Sequence, residues 1–165
     1  MKLGLISDTH GHVPFTVAAL RILFEQGVDA ILHSGDIGSP AIVPLFLGTP
    51  TSFVFGNVDY DTQALRNSIA EHQFTCCDRF GELPLEEVNI ALLHGDDSLR
   101  LEQAIHGGDY QLVIHGHTHE RRLEWFADTL VVNPGAVYRA NPRSVATINL
   151  PDRTVQHFDI APSTN

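Results

Sequence analysis

The chain is poor in cysteine, in basic residues and in long apolar runs, and each shortage removes a class of function. Its two cysteines, Cys76 and Cys77, are adjacent, which excludes an ordinary loop-closing disulfide between them. They are expected as reduced thiols with no metal role. No stretch approaches the roughly 18 apolar residues of a membrane span, so no membrane partner is expected. The opening Met-Lys-Leu-Gly-Leu-Ile-Ser is too short an apolar run for a signal peptide, and a cytoplasmic location is the expectation. Ten Lys and Arg stand against twenty Asp and Glu, a formal charge of −10 at pH 7. Binding through many phosphates needs a basic patch, so no extended nucleic-acid surface is expected. Repeats, low-complexity tracts and linkers are also missing.

What is present fits one compact domain. A chain of 165 residues that is 43% hydrophobic and 18% charged buries a sizeable core, and residues 1–165 are read as a single domain. Apolar runs at residues 2–7, 30–34 and 52–55 are predicted strands. Helices are predicted over 14–25, with Pro14 in the first turn and Gly27 beyond the end, and over 62–72, with a weaker one at 41–47. This strand–helix alternation predicts a parallel sheet with right-handed crossovers. Farther on, strands are expected at 74–77, 82–85, 88–94, 111–115, 122–126, 130–133, 145–150 and 154–160, with one helix at 98–105. So many strands in this length predict an α/β fold. Two mixed β-sheets pack face to face with helices outside, a four-layer α/β/β/α sandwich. Ala161–Asn165 is expected to fray.

Seven polar residues stand just past the ends of apolar runs: Asp8, His10, Asp36, Asn57, His94, His117 and His119. All offer oxygen or imidazole nitrogen, a donor set suited to Mn²⁺, Fe, Zn²⁺ or Ni²⁺. Seven ligands exceed what one tetrahedral ion uses and are about right for two ions sharing a carboxylate. Such pairs are the usual apparatus for hydrolysing phosphate esters. Loops at the carboxyl ends of strands converge in α/β sheets, so residues as distant as Asp8 and His119 can meet. Gly35, Gly56, Gly95 and Gly116, each beside a ligand, are expected to supply the tight, sometimes positive-φ turns that this requires. His117 and His119 alternate along the chain, so the backbone must bend there for both to face one site. Two divalent ions would leave the protein acidic overall, with positive charge confined to one centre. That favours a small phosphate-ester substrate over a polymer.

Asp8-Thr9-His10, Gly35-Asp36, Gly56-Asn57-Val58-Asp59, His94-Gly95 and Gly116-His117-Thr118-His119 together resemble, in order, the calcineurin-like metallophosphoesterases. With Asn133-Pro134-Gly135, the chain looks most like the small bacterial and archaeal phosphodiesterases of that superfamily. The resemblance implies that Asp8, His10 and His119 hold one metal, and that Asn57, His94 and His117 hold the other. Asp36 and a hydroxide would bridge them, and Asp36, Asn57 and His94 would do the catalytic work. It implies two divalent metal ions as cofactors, Mn²⁺ first, with Ni²⁺, Fe, Zn²⁺ and Co²⁺ as alternatives. A homo-oligomer, as a dimer, is a further expectation. Monoesterases of the family commonly carry His where this chain has Val58, and valine cannot protonate a leaving group. Other readings are a scaffold of the same fold that works by binding partners, a phosphomonoesterase, or a nuclease. The intact Asp-x-His and His-x-His motifs favour the enzyme.

Several residues near the motifs stay ambiguous. His33 and His115 are expected as satisfied, buried imidazoles, and His12 as a candidate to touch substrate. His72, His106 and His157 are expected at the surface. Arg121, Arg122, Arg139 and Arg143 are read either as phosphate contacts or as solvated strand-edge residues. Asp59 is expected to hold its loop or orient a ligand.

Overall fold

In the computed structural model, residues 1–161 are described. Five strands make the first parallel run and its flank: β1 (Lys2–Ile6), β2 (Ala30–His33), β3 (Thr51–Phe53), β4 (Thr75–Cys76) and, antiparallel to β1, β10 (Ser144–Asn149). With β11 (Thr154–Asp159) they form a six-stranded sheet, ordered β11-β10-β1-β2-β3-β4. The second sheet is ordered β5-β6-β7-β9-β8, from β5 (Phe80–Leu85), β6 (Val88–Leu93), β7 (Leu112–Ile114), β8 (Arg121–Phe126) and β9 (Thr129–Pro134). Its three central strands are parallel, and both edges are antiparallel.

The sheets meet through one apolar layer: Leu3, Leu5, Leu32 and Val54 pack with Leu92, Ile114 and Val132. On the outer face of the first sheet, α1 (Val13–Glu25), a 3₁₀ segment (Pro40–Phe46) and α2 (Thr62–Glu71) pack Leu20, Leu23, Phe46 and Ile69 against Ile6, Ile31 and Phe53. On the second sheet, α3 (Ser98–His106) packs Ala104 and Ile105 on Leu93, Val113 and Val131. Central strands are thus covered on both faces, which is why they read as continuous apolar runs. The four layers match the fold that the sequence predicts.

Local differences have local causes. The helix expected at 41–47 is a 3₁₀ segment, because Ser39 caps the N–H of Ala41 and Pro44 lacks a donor inside it. The strand expected at 82–85 begins at Phe80, since Phe80 and Gly81 already pair with Leu93 and Leu92. Of the expected frayed end, residues 162–165 lie outside the described residues. Among the described residues, no helix is long and apolar enough to cross a membrane.

Candidate metal centre

Asp8, Asp36, His94 and the His117–His119 turn all follow strand ends, where the two sheets abut. Their loops are laced by backbone bonds: Asp8 N–H to Gly35 O (3.0 Å), His10 N–H to Asp36 O (2.9 Å), and Gly116 N–H to His94 O (2.9 Å). The backbone does bend, but at the candidate ligands themselves. Asp8, His10, Asp36, His117 and His119 have φ of 56°, 46°, 55°, 68° and 60°, a region uncommon for residues other than glycine. The expectation for the neighbouring glycines needs correction. Gly35 and Gly95 do have positive φ, but Gly56 and Gly116 do not. Those two are small because of what passes over them. A Cβ on Gly56 would sit 2.0 Å from Asp36 Oδ1, and one on Gly116 would sit 1.9 Å from Ser7 Oγ and 2.7 Å from Asp8 Oδ2.

Five of the seven predicted residues come together in two overlapping groups. Asp8, His10 and His119 form one, and Asp8, Asp36 and His94 the other. Within the first, His119 Nε2 lies 3.1 Å and His10 Nε2 3.8 Å from Asp8 Oδ1, and the two Nε2 atoms are 3.3 Å apart. Asp36 Oδ2 lies 3.3 Å from His94 Nε2 and 3.8 Å from His10 Nε2, between both groups. His117 stands outside them, exposed, with its ring centroid 5.2 Å from that of His94. Asn57 is exposed on the turn after Gly56.

These residues fit a cation. Asp8 Oδ1 and His94 Nε2 are buried without a hydrogen-bond partner, a costly state for a carboxylate unless positive charge meets it. His94 Nδ1 is 2.8 Å from Ser34 O, and His119 Nδ1 is 3.2 Å from Arg139 O. A carbonyl accepts only, so each Nδ1 carries the hydrogen and each Nε2 lone pair is left facing the centre. The fields within the group are strong. Burial raises the Asp36 carboxyl, but His94, the Val58 N–H and His10 hold it below its usual range overall. Burial lowers His94, yet the Asp36 and Asp8 carboxylates raise it on balance. His119 is raised chiefly by the Asp8 carboxylate beside it, and His10 is lowered by burial despite Asp36 and Asp8.

Neighbouring side chains fix the loops. Buried Asp59 accepts from the N–H groups of Ile37 (3.2 Å), Gly38 (2.7 Å) and Gly56 (2.8 Å), tying the Asp36 loop to the Asn57 loop. Burial still pushes its carboxyl above the usual range, against the pull of those donors. His33 Nδ1 accepts from Gly35 N–H, so its Nε2–H donates to Thr9 Oγ1 (3.0 Å), which in turn donates to Ile37 O. Complete burial lowers the His33 pKa to about 3, and burial lowers that of His115 to about 4. His33 is therefore the satisfied imidazole expected, while His115 bonds through Nδ1 only.

The surface positions expected for His72 and His157 change. His12 caps α1 by accepting from Phe15 N–H and stacks between Phe15 and Tyr138, so it has a structural task. His157 is half-buried, donating to Asn133 O (2.9 Å), and His72 is half-buried against Ser68 O. Arg121 and Arg122 are engaged by Asp159 and Glu124, whereas Arg143 lies 3.9 Å over the Phe15 ring. One residue with a clear role escaped the sequence reading. Asn133, fully buried, donates to Gly116 O (2.9 Å) and Thr118 Oγ1 (3.1 Å), clamping the turn that carries His117 and His119. Its only signal was the Asn-Pro-Gly run.

Comparison with known proteins gives a consistent result. The family described as the calcineurin-like phosphoesterase superfamily domain matches residues 1–153. A phosphodiesterase of Methanocaldococcus jannaschii is 33% identical over 138 residues, covering 82% of this chain and 83% of that protein. A solved structure described as a novel archaeal phosphodiesterase superposes with a TM-score of 0.89 at 29% identity, over 96% of this chain and 99% of that one. Vacuolar protein sorting 29 from Cryptosporidium parvum has the same fold, with a TM-score of 0.64 at 20% identity over 96% and 97% of the two chains. Fold alone therefore does not separate an enzyme from other uses of the scaffold.

Proposed function

The chain belongs to the calcineurin-like phosphoesterase superfamily, and from that premise we propose that it is a metal-dependent phosphodiesterase acting on small or activated diesters. The observation that carries the proposal is the convergence of Asp8, His10, Asp36, His94 and His119, with Asp8 Oδ1 and His94 Nε2 buried there without a hydrogen-bond partner. The phosphodiesterase that is 33% identical supports the diester half of the reading.

In this reading Asp8, His10 and His119 hold one ion, Asn57, His94 and His117 the second, and Asp36 bridges them. Two divalent ions, Mn²⁺ first, would supply Lewis acidity and an activated water. The protein's own part is to aim ligands and substrate. Asp36 stays ionised in its buried setting, with Val58 N–H donating to its Oδ1 (3.1 Å). Asn57 adds a neutral oxygen, so the second site is less negative than the first. Val58 has no proton to give a departing oxygen, which favours leaving groups that are stable as anions. Arg121 and Arg122 are tied to carboxylates of their own, so neither of these two guanidiniums is free for the second negative charge of a monoester. The whole chain, residues 1–165, acts as one catalytic domain.

Elemental analysis of the dialysed protein, joined to a panel of phosphate mono- and diesters, tests this. Native protein should hold two ions per chain and prefer aryl diesters. Asp36→Asn should lose the ion pair and nearly all turnover. Two retained ions with full activity in Asp36→Asn would remove the bridging assignment. Absence of turnover in the native protein with every divalent metal would favour the scaffold reading.

A further inference from the structure

Arg79, on the short link between β4 and β5, belongs to none of the motifs, yet it touches two of their loops. Its Nη1 donates to Gly56 O (3.1 Å), and its Nη2 pairs with the Asp96 carboxylate. Gly56 immediately precedes Asn57, on the loop that leaves β3 of the first sheet. Asp96 lies two residues past His94, on the loop that leaves β6 of the second. One guanidinium therefore straps together loops from different sheets, each carrying a ligand of the same proposed ion. The strap has a firm base. Cys77 N–H donates to Phe53 O (2.8 Å), and Phe55 N–H donates to Asp78 O, so residues 77–79 run braced along the strand that leads into Gly56. With Asp59 holding the Gly56 N–H, both polar groups of that glycine are fixed by side chains.

We propose that Arg79 is a positioning residue that sets the affinity for the second ion, by locking the Asn57 loop to the His94 loop through Gly56 O and Asp96. The inference rests on the assignment of Asn57 and His94 to that ion. Two magnitudes separate this role from simple stabilisation. The Arg79 side chain is 48% exposed and that of Asp96 20%, and ion pairs with this access to water contribute little to folding. Outer partners that orient metal ligands are different, since their loss typically weakens metal binding about 10–100-fold. The first group, Asp8, His10 and His119, has no hydrogen bond to Arg79, so its ion should not feel the change.

The test is calorimetric titration of Mn²⁺ into metal-free, full-length native protein, Arg79→Ala, Arg79→Lys and Asp96→Asn, with thermal melts of each metal-free form. Native protein should bind two ions. Arg79→Ala should weaken the second at least about tenfold while leaving the first, and the metal-free melting temperature, nearly unchanged. Arg79→Lys keeps the charge but loses the planar two-pronged reach, and should fall between. Asp96→Asn should weaken the same ion and should add little in combination with Arg79→Ala. Unchanged second-ion affinity in Arg79→Ala and Asp96→Asn overturns the proposal. So does an equal loss at both ions accompanied by a lower melting temperature. If the native protein itself takes up only one ion, the failure lies in the two-ion reading, and the variants are not needed to see it.

Discussion

Replacing Gly116 with alanine should damage the centre by sterics alone. Gly116 does not have positive φ, so alanine meets no backbone strain. Its Cβ, however, would land 1.9 Å from Ser7 Oγ, 3.0 Å from Ser7 Cβ and 2.7 Å from Asp8 Oδ2. Ser7 and Asp8 are both fully buried, so neither can swing into solvent, and the strands must part or the Asp8 carboxylate must move. Overpacking of this kind costs about 1–3 kcal/mol. At about 2–4 °C per kcal/mol for a domain of this size, a 2 kcal/mol loss lowers Tm by about 4–8 °C. Displacing Asp8, which both candidate groups share, should also weaken metal binding by about 10–100-fold or more. Gly48→Ala is the matched control: φ is +93° there and nothing lies within 4 Å of the added Cβ. It should lose about 1 kcal/mol through strain and bind metal normally. Ser7→Ala removes the nearest clashing atom, a hydroxyl without a partner. In combination with Gly116→Ala it should recover part of the Tm but little metal affinity, because Asp8 Oδ2 stays in the way. Thermal melts of the metal-free proteins and Mn²⁺ titrations read both effects. Native-like Tm and metal affinity in Gly116→Ala would refute the reasoning, as would equal loss of metal in Gly48→Ala.

Two further outcomes follow from single side chains. Because Val58 offers no proton, metal-saturated hydrolysis should slow steeply as the leaving group becomes more basic, and Val58→His should help the poorest leaving groups most. General-acid assistance is worth about 10²–10⁴-fold, and a flat dependence across a graded aryl series, with chemistry rate-limiting, would mean that another group donates. His33 should make the metal-free protein acid-sensitive. Burial lowers its pKa from 6.5 to about 3, so below pH 6.5 the unfolded chain takes up a proton that the folded protein refuses. Its contribution is intact above pH 6.5 and is lost progressively as pH falls toward 3, at about 1.4 kcal/mol per unit, or about 2 kcal/mol by pH 5. Urea unfolding between pH 7 and 5 should show that slope in the native protein and a shallower one in His33→Gln; identical slopes would contradict it.

The strands and helices were legible because each central strand is buried on both faces, and runs such as Leu-Leu at 92–93 or Leu-Val-Ile at 112–114 have no other easy reading. The candidate ligands stood out because each follows such a run. What stayed hidden was the backbone between them. Nothing in the identity of His10 announces a left-handed φ, which goes with the bonds from Asp8 N–H to Gly35 O and from His10 N–H to Asp36 O that lace its loop to the next. The sequence pointed instead to the glycines, of which Gly35 and Gly95 have positive φ while Gly56 and Gly116 lack room for a side chain. Asn133 was given no role, and His157 was expected at the surface. An amide that holds Gly116 O and an imidazole that holds Asn133 O act across 17 and 24 residues, with no local pattern to mark them.

The junction of the two sheets has a consequence in time as well as in space. Asp8, His10, Asp36 and Asn57 come from loops of the first sheet, and His94, His117 and His119 from loops of the second. The first sheet is itself unfinished until β10 and β11 return from the far end of the chain to pair beside β1. During synthesis the loops of the first sheet would thus offer an ion only part of the proposed set. The proposed set is complete only once the two sheets have joined, and metal bound there would add its binding free energy to the finished fold alone. Metal loading would then record that both halves have been made and joined.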